Sequence, residues 1–106
     1  MSKDPKVSVN IEYCTVCGFK RQCQELKDFL NKLIPEVKVE CNIGRRGSFE
    51  VKINETLVHS KLKTFAFPDY DDLADNVRNC LNGKDMKVPI KQQELIDIET
   101  FLLCLD

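Results

Sequence analysis

Val7, Val9 and Ile11 alternate with Ser8, Asn10 and Glu12. That two-residue period predicts a strand with one buried face. Cys14-Thr15-Val16-Cys17-Gly18 follows at once, and then the period changes. Phe19, Cys23, Leu26, Leu30 and Leu33 recur at intervals of three and four, which predicts one face of a helix from about Cys17 to Leu33. Pro35 ends it. Val37, Val39, Cys41 and Ile43 alternate with polar residues, as do Phe49, Val51 and Ile53, and each set predicts a strand. Gly44-Arg45-Arg46-Gly47 is a loop between them. Asn54-Glu55 reads as a two-residue hairpin turn into a short strand, Leu57-Val58-His59. Asn54 tolerates positive φ and Glu55 does so poorly. Leu73, Val77, Cys80 and Leu81 mark a second long helix, with Asn82-Gly83 as its C-cap. Leu95, Ile98, Leu102 and Leu105 keep helical spacing in the tail.

The predicted order is β-α-β-β-β-α with a helical tail. A strand, helix and strand in sequence favour a right-handed crossover and a parallel pair. The hairpin adds antiparallel strands on an edge. Helices covering such a sheet give an α/β (α+β) sandwich of the thioredoxin-like kind. One domain spans residues 1–106, with a core at about 6–83 and a tail at 84–106.

Sixteen basic residues face seventeen acidic ones, for a net charge of −1. That balance gives no general attraction to nucleic acid or anionic lipid. No apolar run approaches the roughly 20 residues that cross a bilayer. The N-terminus has no apolar segment of the secretory type, so a cytoplasmic location is expected. Six cysteines in that compartment are expected to be mostly reduced rather than a disulfide framework. Asn54-Glu55-Thr56 fits a glycosylation sequon, but a turn role for Asn54 suits a cytosolic chain better.

The candidate chemistry lies in Cys14 and Cys17. A thiolate attacks a disulfide and a thiol does not. Free cysteine ionises at about pH 8.5, so the sulfur needs help at neutral pH. A helix beginning near Cys17 would supply unpaired amides and the positive end of its dipole, with Lys20 and Arg21 one turn on. Closeness to the helix start favours Cys17 as the attacking sulfur, with Cys14 as the alternative. The two-residue spacer, Thr15-Val16, keeps both sulfurs in bridging range, so the second can resolve a mixed disulfide. Half of a metal site and simple packing are the competing readings. A closed zinc site needs four ligands. The others would have to come from Cys23, Cys41, Cys80, Cys104 or His59, on scattered elements.

Other residues read more plainly. Cys23, Cys41 and Cys80 each sit at apolar positions of their elements, where cysteine packs as a small hydrophobe. A role for Cys23 as a further resolving thiol is the sharper alternative. Cys104 is an exposed thiol in this reading. His59 reads as structural. Arg45-Arg46 is a solvated loop before it is an anion-docking site. Phe65, Phe67, Pro68 and Tyr70 close the core or form an apolar rim near the cysteine loop.

Three segments in order carry a family resemblance: Tyr13-Cys14-Thr15-Val16-Cys17-Gly18-Phe19, Gly47-Ser48-Phe49-Glu50-Val51 and Leu57-Val58-His59-Ser60-Lys61. They resemble the selenoprotein W-like (Rdx) family over about Val7 to Gly83. The resemblance implies a thioredoxin-like fold and a glutathione-linked thiol–disulfide oxidoreductase in redox homeostasis. The alternative it implies is a redox-sensitive interaction module in signalling. Cys14 and Cys17 are then the catalytic pair, and Thr15, Val16, Phe67 and Pro68 the binding residues. Glutathione is a co-substrate rather than a resident cofactor. Expected partners are glutathione, protein disulfides and signalling proteins, with no metal, nucleic acid or membrane. In selenoprotein W the position of Cys17 holds selenocysteine, a stronger nucleophile. Cys104 is third from the end, whereas a prenylation box needs its cysteine fourth from the end.

Overall fold

The strand–helix–strand opening forms a parallel pair, as the crossover rule requires. The structure, a computed structural model, describes residues 7–93. Strands β1 (Ser8–Tyr13), β2 (Lys38–Ile43), β3 (Phe49–Ile53) and β4 (Thr56–Ser60) form one sheet in the order β2-β1-β3-β4. β1 runs parallel to β2 with Ile11 opposite Cys41, and antiparallel to β3 with Tyr13 opposite Phe49. Helix α1 (Lys20–Leu33) makes the crossover. A single turn, α2 (Lys61–Thr64), follows β4, and α3 (Tyr70–Leu81) completes the described elements. The expected tail helix and Cys104 lie outside the described residues.

One face of the sheet holds the core. Val9, Ile11, Val39, Phe49, Val51 and Ile53 point to it and meet Leu26, Leu30, Leu73 and Val77 from α1 and α3. The other face of β1 carries the half-buried Ser8, Asn10 and Glu12. Two-residue alternation therefore read the sheet correctly, because each strand has one apolar side.

Three boundaries differ from the sequence expectation. α1 begins at Lys20 rather than near Cys17. Gly18 adopts a left-handed φ of +78°, and residues 15–19 form turns before the helix starts. Leu33, expected on the buried face, is 44% exposed, and Ile34 is buried in its place. Ile43, expected to alternate inward, is 67% exposed at the end of the edge strand β2. The Asn54-Glu55 turn forms with Ile53 paired to Thr56, and the positive φ falls on Asn54 at 55°.

The packed unit continues past Gly83, which caps α3 with a φ of +71°. The Ile90 amide donates to the Val58 carbonyl at 2.9 Å, and the Gln93 amide to the Phe67 carbonyl at 2.8 Å. Asp72 on α3 fastens this returning segment, accepting from the Lys91 amide at 2.7 Å and pairing with Lys87 Nζ at 3.0 Å. Those contacts hold the Asp72 carboxyl below the usual carboxylate range, the Lys91 amide being the larger influence.

Candidate redox site

Cys14 continues the line of β1, its amide donating to the Ser48 carbonyl at 3.0 Å. The chain then turns sharply. Gly18 N donates to Thr15 O at 2.9 Å and Phe19 N to Cys14 O at 3.1 Å. This turn sets Cys17 back against Cys14, with the two sulfurs 2.6 Å apart and sharing a hydrogen bond. The Cys17 amide donates to Cys14 Sγ at 3.2 Å. Cys14 is buried and Cys17 is exposed.

The charge distribution overturns the expected role of the helix. Cys17 lies three residues before α1, so its amide is spent on Cys14 Sγ rather than on its own sulfur. The Cys14 thiol is held below the ordinary cysteine value, chiefly by the hydrogen bond from Cys17, with the amides of Gly47, Cys17 and Val16 adding to it. Burial opposes that shift. Cys17 is pushed up, chiefly by the same hydrogen bond, while the Gly47 amide and the Arg46 charge pull it down. The two thiols therefore titrate as a pair, and the first proton lost leaves its charge on Cys14.

The loop between β2 and β3 serves the pair from the other side. Glu12 accepts from Arg45 N at 2.7 Å and Nε at 2.9 Å, and its second oxygen from Nη2 at 3.1 Å. This clasp lowers the Glu12 carboxyl and raises the Arg45 guanidinium. Arg45 also reaches the buried Glu50 at 3.8 Å. Glu50 accepts from the Ser60 hydroxyl and, at 3.2 Å, from the Leu62 amide. Arg45 is thus an internal strut, and Arg46 supplies positive potential at Cys17. Gly47, in the left-handed region at φ +80°, presents its amide to both sulfurs.

Gly44 makes the clasp possible. A Cβ there would lie 1.9 Å from Glu12 Cγ. Gly44→Ala is expected to displace Glu12, release Arg45 and unfasten the loop that carries Gly47. Overpacking of this kind typically costs about 1–3 kcal/mol. A lower urea midpoint together with a rise in the apparent pKa of the cysteine pair is the expected result; an unchanged pKa would show that the clasp does not position the Gly47 amide.

The other residues singled out from sequence divide. Thr15 and Val16 are exposed beside the sulfurs, Val16 at 77%. Phe67 is half-buried between Phe19 and Phe49, with ring centroids 5.0 and 5.1 Å away in edge-to-face contact. Lys61 Nζ lies over both Phe19 and Phe67, at 5.3 and 5.0 Å. Pro68 is buried and bridges to Gln92. The exposed aromatic of that stretch is Phe65, at 81% and with a φ of 60°. His59 shares a 2.7 Å hydrogen bond between Nε2 and the Ala66 carbonyl, so Nε2 is the donor. Burial pushes its pKa down, which keeps the ring neutral.

Cys23 and Cys41 correct a second expectation. They are joined in a disulfide, not held as separate reduced thiols, and Cys23 is not a resolving partner for Cys17. The apolar face of α1 and the inward face of β2 share one layer, and the crossover stacks these two positions within it. Among the described residues no group of three His, Cys, Asp or Glu side chains is placed to hold a metal ion. No described helix is long and apolar enough to cross a membrane.

The sequence profile of the Rdx family matches residues 8–79. The chain is 36% identical over 81 residues to migration and invasion enhancer 1 of Bos taurus and of Mus musculus, covering 76% of this chain and 70% of each relative. Among solved structures, the selenoprotein W-related protein from Vibrio cholerae superposes with a TM-score of 0.64 at 23% identity, over 69% of this chain and 94% of that one. A protein from Bordetella parapertussis superposes with a TM-score of 0.63 at 21% identity, over 69% and 95%. These two share the thioredoxin-like fold.

Proposed function

The chain belongs to the Rdx family, and on that premise we propose that it is a thiol–disulfide oxidoreductase working through Cys14 and Cys17. The observation that carries this reading is the contact between the sulfurs of a buried cysteine and an exposed one, 2.6 Å apart. Access and charge divide the labour. Cys14 holds the negative charge but is buried, whereas Cys17 faces solvent. Cys14 thiolate takes the Cys17 proton, and the Cys17 thiolate attacks a disulfide R–S–S–R′. The Cys17–S–R bond forms, the S–S bond of the substrate breaks, and R′–S⁻ leaves with the proton that Cys14 releases to it. Cys14 thiolate then attacks Cys17 Sγ, closing the Cys14–Cys17 disulfide and expelling R–S⁻. The net reaction oxidises the protein dithiol and reduces one substrate disulfide to two thiols.

Glutathione mixed disulfides are the substrate class we favour. Supporting this, Arg46 places positive charge at the exposed sulfur, where a glutathione carboxylate would dock. Reduced glutathione would reopen the Cys14–Cys17 bond by the reverse exchange. Exposed Val16 and Phe65 support the second reading, an interaction module whose partners read the oxidation state of the loop.

Single variants test the assignment. Cys17→Ser is expected to lose disulfide reduction and to form no mixed disulfide at the loop. Cys14→Ser is expected to trap the mixed disulfide on Cys17, visible as an added thiol mass. The rate of alkylation in the wild type should titrate below the ordinary value of about 8.5. Trapping on Cys14 in the Cys17→Ser variant, with none on Cys17, would reverse the roles. Retained activity in both variants would remove the proposal.

A further inference from the structure

The Cys14–Cys17 chemistry makes no use of the second sulfur pair. Cys23 lies in the first turn of α1, where its amide donates to the Phe19 carbonyl at 3.1 Å. Its side chain is fully buried beside Leu26 and Leu30. Cys41 lies on β2, an edge strand, and remains half-buried. The bond between them joins the helix that follows the cysteine loop to the edge of the sheet. Cys41 is the less buried of the two residues, and Cys23 is fully enclosed.

We propose that Cys23 and Cys41 form a second redox centre, modified reversibly by low-molecular-weight disulfides, with Cys41 as the sulfur of entry. In the reduced chain, the Cys41 thiolate attacks a disulfide R–S–S–R. A Cys41–S–R bond forms and one R–S⁻ leaves. Cys23, already packed against Cys41, loses its proton to the released thiolate. It then attacks Cys41 Sγ, forming the Cys23–Cys41 bond and expelling the second R–S⁻. The protein dithiol is oxidised, and one small disulfide is reduced to two thiols. Reopening runs the other way, with a small thiolate attacking Cys41 Sγ because Cys23 is sealed in the core. The consequence is a clamp on the first turn of α1 that follows the thiol poise of the surroundings and works independently of Cys14 and Cys17.

The test uses the full chain and glutathione as the probe. Protein is equilibrated without oxygen across a series of reduced-to-oxidised glutathione ratios, quenched with N-ethylmaleimide and mapped by mass spectrometry. The Cys23–Cys41 cross-linked peptide is expected to go from absent to dominant as glutathione becomes oxidised, and to disappear on return. The same curve is expected in the Cys14→Ser/Cys17→Ser double variant, which separates this proposal from the one for the loop. In Cys23→Ala, glutathione should accumulate on Cys41, and in Cys41→Ala none should accumulate on Cys23. In the reduced wild type, Cys41 should be labelled before Cys23, a readout that needs no variant to fold. The proposal is overturned by a link that never forms, by one that stays closed in fully reduced glutathione, by one that requires the Cys14–Cys17 pair, by pairing of either sulfur with Cys80 or Cys104 instead, or by entry at Cys23.

Discussion

Opening the Cys23–Cys41 bond should lower the stability of the fold by about 3 kcal/mol, a shift of roughly 10–20 °C in the melting temperature. The bond spans 18 residues of sequence. A crosslink over a loop of that length removes many conformations from the unfolded chain, and on the chain-entropy account it stabilises by this amount. The effect is large against the 5–15 kcal/mol typical of a small domain. It is measured by thermal melts followed by circular dichroism, with and without reductant, in the Cys14→Ser/Cys17→Ser background. That background removes the other bond that reductant would open. Cys23→Ala and Cys41→Ala should each melt at the reduced temperature regardless of reductant. Identical melts of oxidised and reduced protein would mean that the loop is already constrained in the unfolded state.

Phe49→Ala should cost about 3–5 kcal/mol, the range for emptying an aromatic site in a core. Phe49 is fully buried and begins β3 directly opposite Tyr13, one residue before Cys14. Its ring meets Phe67 edge to face, and Phe67 meets Phe19 at the start of α1. The aromatic chain therefore runs from the sheet to the turn that sets the two sulfurs together. Losing Phe49 removes its burial, leaves a cavity between β3 and the helices, and takes away the support of Phe67. Urea unfolding followed at 222 nm measures the cost, since the chain has no tryptophan to report on its core. A loss under about 1 kcal/mol would show that the neighbours collapse into the space. The sulfur pair should also react less selectively at Cys17, because Phe67, which packs against Phe19 two residues beyond Cys17, loses its support.

The two thiols, the glycine turn and the loop behind them illustrate what kind of information each level holds. Cys14 and Cys17 are visible in the chain because two cysteines with a two-residue spacer between a strand pattern and a helix pattern stand out in the sequence itself. Their division of charge is not visible. It depends on which amides face which sulfur, and Gly47 approaches from a loop some thirty residues away. The Gly44-Arg45-Arg46-Gly47 stretch shows its two glycines and two arginines in sequence. Only the register of β1 against β2 turns Arg45 into a strut on Glu12 and leaves Arg46 to act on Cys17. Gly18 misplaced the helix start for a related reason. A side-chain period identifies the helix, but a single left-handed residue decides where its first turn can begin.

By itself the sequence determined the elements and their order. Side-chain alternation and three-to-four spacing are local properties, and burying each apolar face demands a helix layer over a sheet. It also determined that two cysteines stand at the mouth of the crossover. Tertiary structure alone decided which of them carries charge and which meets solvent. It alone brought Cys23 and Cys41 together from apolar positions that looked alike. Contacts between residues distant in the chain depend on register and on how far each element extends, and no local pattern encodes either.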